Sequence, residues 1–143
     1  MRQVKRSAYI SYTSEQMFLL VDDVDSYANF LPWCKGTQIH ERSDKNLSAT
    51  IELSKGGVST KFTTLNTMNQ FKSIDLFLQD GPFDYFEGGW RFDDLGSNGS
   101  KIQFELKFKF RSSILDMSLG PFFESICDDL VNAFVLRARE IYD

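Results

Sequence analysis

The stretch IQFELKFKF constrains this chain more than any other. Ile102, Phe104, Leu106, Phe108 and Phe110 alternate with Gln103, Glu105, Lys107 and Lys109. Strict period two over that length predicts a strand with one apolar face and one charged face. LSATIELS repeats the pattern, with Leu47, Ala49, Ile51 and Leu53 on one side and Ser48, Thr50, Glu52 and Ser54 on the other. A parallel sheet covered on both faces reads as unbroken apolar runs. A wet face therefore means an antiparallel sheet covered on one side only.

Further strands are expected near Val4–Tyr12, Thr37–Arg42, Val58–Thr67, Ser73–Gln79 and Phe86–Leu95. KGGV, QDGPF and GSNGS supply the turns between them. One helical insertion interrupts this β-rich order after the first strand. There Thr13 or Ser14 caps a short helix, and Gln16 completes a capping box with Thr13. Asp25 or Ser26 caps a second short turn that delivers Phe30.

From Gly120-Pro121 onward the period changes to that of a helix. Pro121 suits a first helical turn. Phe122, Phe123, Ile126, Cys127, Leu130, Ala133 and Phe134 fall on one side; Glu124, Asp128, Asn132 and Arg139 fall on the other. That helix is about 33 Å long, against about 29 Å for the width of seven strands. One helix can cover the whole apolar face. The expected fold is α+β, one domain over residues 1–143, with a curved seven-stranded antiparallel sheet around a long C-terminal helix in the order β-α-α-β6-α. The chain has 143 residues, enough for a substantial core.

A cylinder lying in a concave sheet touches it best at the middle, so its ends need plugging. SYANFLPWCKG, Ser26 to Gly36, has the Pro and Gly of a connection but carries Tyr27, Phe30, Leu31 and Trp33. Phe30, Leu31 and Trp33 are therefore expected to fold over one end of the space between helix and sheet. They form either a lid over a small-molecule cavity or a packed core loop. Aromatic residues make up 15% of the chain, 14 of them Phe, which fits an interior lined by rings. Phe62, Phe83, Trp90, Phe104 and Phe123 are the expected lining. Gly88-Gly89, beside Trp90, signals a bulge or the close approach of another group. Arg137 sits within the apolar arc of the helix. It either pairs and reaches water or donates to a ligand oxygen inside.

Other chemistry finds little support. His40 is the sole histidine and falls on a polar strand face. No nucleophile and base are paired, and no Gly-rich loop with a Lys cradles phosphate. Asp22-Asp23, Asp93-Asp94 and Asp128-Asp129 are sequence neighbours that diverge. No catalytic or metal-binding residue is assigned and no cofactor is required. Cys34 and Cys127 lack the spacing of a zinc site or disulfide framework, which suits a reducing compartment. No signal peptide or membrane span is expected. The formal charge of −4 lacks the basic excess of a nucleic-acid binder. A local patch would need Arg2, Lys5 and Arg6 with Lys35, or Lys107, Lys109 and Arg111.

VDDVDSYANFLPWC, SKGGVSTKFTT, DGPFDYFEGGWRF and NAFVLRAREIY together cover most of the chain. On these segments the sequence resembles the RatA family of bacterial START-like proteins, which includes the coenzyme Q-binding proteins of the polyketide cyclase/dehydrase superfamily. It departs from the usual pattern at Ala28, where Pro is common, and at Phe86, where Leu is common. The resemblance implies the helix-grip fold. It also implies a non-catalytic role: binding ubiquinone or another isoprenoid lipid in support of respiration, or binding the 50S ribosomal subunit to block 70S association as the toxin of a toxin–antitoxin pair. The partners implied are a quinone, the large subunit and a small antitoxin protein. The implied location is the cytoplasm, with peripheral association with the inner membrane as an alternative. A cyclase or aromatase acting on a polyketide-like substrate is the enzymatic alternative.

Overall fold

The computed structural model describes residues 1–143. Its elements run β1 (Arg2–Ile10), α1 (Ser14–Asp22), a 3-10 turn (Val24–Ser26), α2 (Tyr27–Phe30), β2 (Cys34–Arg42), β3 (Asn46–Lys55), β4 (Val58–Asn69), β5 (Ser73–Asp80), β6 (Phe83–Asp94), β7 (Ser100–Phe110) and α3 (Ser113–Tyr142). The strands form one antiparallel sheet in the order β1-β7-β6-β5-β4-β3-β2. The insertion of α1 and α2 sends β2 to the far edge, and the remaining strands meander back until β7 closes on β1. The expected helix-grip architecture is the one observed.

Alternation sets the layers. In β7 every even position from Ser100 to Phe110 is buried, and those side chains meet α3 and α1. The N-terminal cap forms as expected: Gln16 N–H donates to Thr13 Oγ1 at 3.1 Å, and Thr13 N–H donates to Gln16 Oε1 at 2.9 Å.

The glycine pair in β6 is a close approach and not a bulge. A Cβ on Gly88 would lie 2.0 Å from the Glu105 carbonyl oxygen, and one on Gly89 would lie 2.3 Å from that of Ile74. Neighbouring backbones press on this strand from both sides. The register shift of β6 lies earlier, between Phe83 and Tyr85, and lets Phe83 and Phe86 both turn inward.

The start of the long helix is the main correction. Gly120-Pro121 does not open it; α3 begins at Ser113, and Pro121 lies inside. Ser112 is the true cap, accepting from the Leu115 N–H at 3.1 Å. Proline removes one helical hydrogen bond, a cost of about 3 kcal/mol in a helix interior. The joint is held from outside. Arg2 on the edge strand donates to both oxygens of Asp116, at 2.9 and 3.1 Å, and approaches Glu124 at 3.6 Å. Asp116 and Glu124 lie one turn before and one turn after Gly120. The guanidinium crosses the helix at Gly120, where a Cβ would come within 2.5 Å of Arg2 Nε.

The polar side of α3 is tied to the edge strand: Glu124 and Asp128 meet Arg2 and Arg6, the latter at 2.6 Å from Asp128. The proposed basic cluster is split by the pleat. Arg2 and Arg6 turn toward α3, whereas Lys5 lies on the opposite face, in register with Glu105. Lys35 pairs with Glu52 at 3.7 Å. No helix is long and apolar enough to cross a membrane.

Candidate functional site: a closed aromatic chamber

The space between α3 and the concave face of the sheet contains a cavity of about 90 Å³. The 3-10 turn and α2 close one end, β3 to β7 form the wall, and α3 forms the roof. Of the nine residues expected at the site, Leu31, Trp33, Phe62, Trp90, Phe104 and Phe123 line this cavity. The other three stand behind or outside it. Phe83 backs the wall, stacked on Phe110 at 4.7 Å between ring centres and tilted against Phe123 at 5.2 Å. Phe30 covers the roof end, its ring 5.4 Å from that of Phe134. Arg137 lies over the outer face of Phe30, at 4.9 Å, with Glu140 at 3.9 Å. Its charge points to the rim, the outcome that burial of an unpaired guanidinium would disfavour least.

The lid is held by its backbone and its rings. Leu31 N–H donates to the Tyr27 carbonyl, Cys34 N–H to that of Leu31, and Ser54 N–H on β3 to that of Trp33, all within 3.0 Å. Tyr27 O–H donates to the Val21 carbonyl, and its ring stands edge-on to Phe134 at 5.5 Å. Burial raises the Tyr27 phenol well above its ordinary range, so this donor keeps its proton. Trp33 is only 8% exposed and separates two spaces. Inside is the chamber. Outside is a groove of about 530 Å³ between the lid and α3, bordered by Phe30, Pro32 and Leu136.

Sequence reasoning passed over several lining residues. Phe86, Cys127 and Phe134 belong to the wall and roof. Phe134 carries the signal of its helical position and is fully buried. Thr64 and Asn66 are the two lining residues that are not hydrophobic. Their signal was also present: period two from Phe62 puts both on the inner face. The Thr64 hydroxyl donates to Asn66 Oδ1 at 2.8 Å. Cys34 and Cys127 are free and buried. Desolvation raises the Cys127 thiol strongly, with the charges of Asp128 and Glu124 adding to it. The thiolate needed for nucleophilic chemistry is thus disfavoured. His40 is exposed, with Nε2 2.7 Å from Thr50 Oγ1, far from the chamber lining.

Residues 10–135 match the family described as Polyketide cyclase / dehydrase and lipid transport. The chain is 41% identical, over 142 residues and 99% of both sequences, to a Vibrio cholerae protein named Ribosome association toxin RatA. It is 25% identical to the mitochondrial Coenzyme Q-binding protein COQ10 of Drosophila melanogaster, covering 96% of this chain and 59% of that protein. Among solved structures, it is similar to an 18 kDa protein of Caulobacter crescentus, with a TM-score of 0.77, 30% identity and 99% coverage of both chains.

Proposed function

Since this chain belongs to the polyketide cyclase / dehydrase and lipid transport family, within its RatA branch, we propose that it is a non-catalytic protein that holds an isoprenoid quinone in the chamber behind Trp33. The observation that carries this reading is the chamber itself: apolar, ringed by aromatic side chains and covered at one end by the short segment from Val24 to Trp33. The COQ10 name of a distant relative agrees with it.

The cavity is smaller than the ~300–1,000 Å³ usual for ligand sites. A quinone ring therefore enters only when side chains move. The element suited to that is the lid, whose 3-10 turn and single-turn helix are tied down by few hydrogen bonds compared with the sheet. The ring passes Trp33 from the outer groove, and the isoprenoid tail remains along Phe30, Pro32 and Leu136. On this reading the protein works from the cytoplasm, with peripheral contact at the inner membrane where such lipids reside. The test is an organic extract of gently purified native protein. A copurifying quinone is expected; a clean extract, with no uptake of added quinone, overturns the reading.

A second reading rests on the 41% identity to a protein named for ribosome association. In it the chain binds the 50S subunit, and a small antitoxin protein restrains it. The outward Lys5, Lys107 and Lys109 supply the contact, interspersed with Glu87 and Glu105. The two readings use different surfaces and are compatible. Comigration with large subunits on a sucrose gradient at low salt, weakened by Lys107→Glu with Lys109→Glu, is expected. Absence of comigration at low salt removes it.

A further inference from the structure

The chamber's polar pair calls for a partner that the protein does not provide. Thr64 and Asn66 are adjacent inward positions of β4, with 3% and 9% of their surface exposed. Thr64 donates its proton to Asn66 Oδ1 at 2.8 Å, which fixes the amide with its nitrogen turned away from that bond. On the same face Asn66 is flanked by Leu47 on β3 and Leu76 on β5. Neither side chain can accept a hydrogen bond, and the Asn66 amide nitrogen makes none. Asn66 lines the cavity. The amide nitrogen is not sealed within the wall, so an acceptor carried by an occupant of the cavity is the partner it lacks.

We propose that Asn66, oriented by Thr64, is the hydrogen-bond donor that receives a carbonyl oxygen of the chamber's ligand. The site thereby selects a ring or chain bearing a carbonyl over a pure hydrocarbon of the same size. An apolar pocket discriminates poorly between shapes, whereas a placed donor rejects a ligand that leaves it unpaired. Thr64 is a positioning residue, since it acts only through the amide. The proposal rests on the reading of the chamber as a ligand site and names the chemistry that site recognises.

The experiment is a calorimetric titration of the full chain with a 2-alkyl-1,4-benzoquinone and with the alkylbenzene carrying the same chain. Wild type is expected to favour the quinone. Asn66→Leu should weaken quinone binding about tenfold and leave the alkylbenzene unchanged; because it also strands the buried Thr64 hydroxyl, the double variant Asn66→Leu with Thr64→Val, which removes both polar groups, is the one expected to keep the wild-type melting temperature. Thr64→Val keeps the amide but frees it to rotate, and should weaken quinone binding by a smaller factor with no effect on the alkylbenzene. If the two probes bind wild type equally, or the quinone preference survives Asn66→Leu, the donor role is overturned while the chamber reading stands. If neither probe binds, the chamber reading fails and takes this proposal with it.

Discussion

Phe134 stands where lid, sheet and roof meet. Its ring lies 5.3 to 5.5 Å from Trp90, Tyr27 and Phe30, each in an edge-on arrangement, and it is wholly buried. Such pairs add to the value of plain area burial. Phe134→Ala should destabilise by about 3–5 kcal/mol in urea unfolding, since three neighbours cannot close the gap together. Cys127 gives a second prediction at this scale. Burial raises its thiol above the ordinary 9.0, so the fold prefers the protonated form. That preference is fully present below pH 9 and is lost as pH rises beyond it, by ~1.4 kcal/mol per unit. Cys127→Ala should flatten the decline of stability above pH 9, followed by urea midpoints across an alkaline series. Individual residues were legible where a period placed them. Phe62, Phe104 and Phe123 followed from alternation or helical phase. Arg137 was left with two readings, and pairing at the rim beside Glu140 is the one observed; the wheel alone could not decide, because it gives a direction from the axis and not the depth of the wall it meets.

At the scale of elements, α3 shows what tertiary structure adds. Local chemistry reads Gly-Pro as a helix start, and nothing near Pro121 in sequence contradicts that. The group that holds the joint, Arg2, lies 114 residues from Asp116. Arg2→Ala should leave the later turns of α3 intact and raise hydrogen exchange over residues 113–120, read by peptide-resolved mass spectrometry; uniform exchange along α3 would show that the clasp is idle. In β6, Gly88 admits no side chain because the neighbouring strand occupies the space. Gly88→Ala should cost about 3 kcal/mol through overpacking, whereas a Cβ on Gly36, at the start of β2, meets no neighbour. The strands themselves were readable almost to their ends, because a sheet with one wet face writes its register into the sequence. The close approach at Gly88 was one of two readings that sequence left open, and only the positions of Glu105 and Ile74 decide it.

The whole molecule is a sheet that curls around one helix and keeps a small apolar space at one end. That space is nearly full, so its capacity depends on movement of the segment from Val24 to Trp33. Cys127 reports on that movement, since it lines the chamber and is only 3% exposed. Trp33→Ala should speed its alkylation several-fold, and a bound quinone should slow it in wild type. Whether the loop packed as core or covered a cavity was left open; an interior lined by rings was foreseeable from their excess beside a covered concave face. Its volume was not, because period and composition say which side chains face inward but not how closely they interlock.

The chain contains two tryptophans, and Trp33 and Trp90 both line the chamber. Tryptophan fluorescence during titration with a short-chain quinone is therefore the most direct measurement of the central claim. Saturable quenching that ends near one equivalent, divided between the signals of Trp33→Phe and Trp90→Phe, is the predicted result. Quenching that rises linearly without saturation, as for a solute colliding from bulk water, would contradict an internal quinone site.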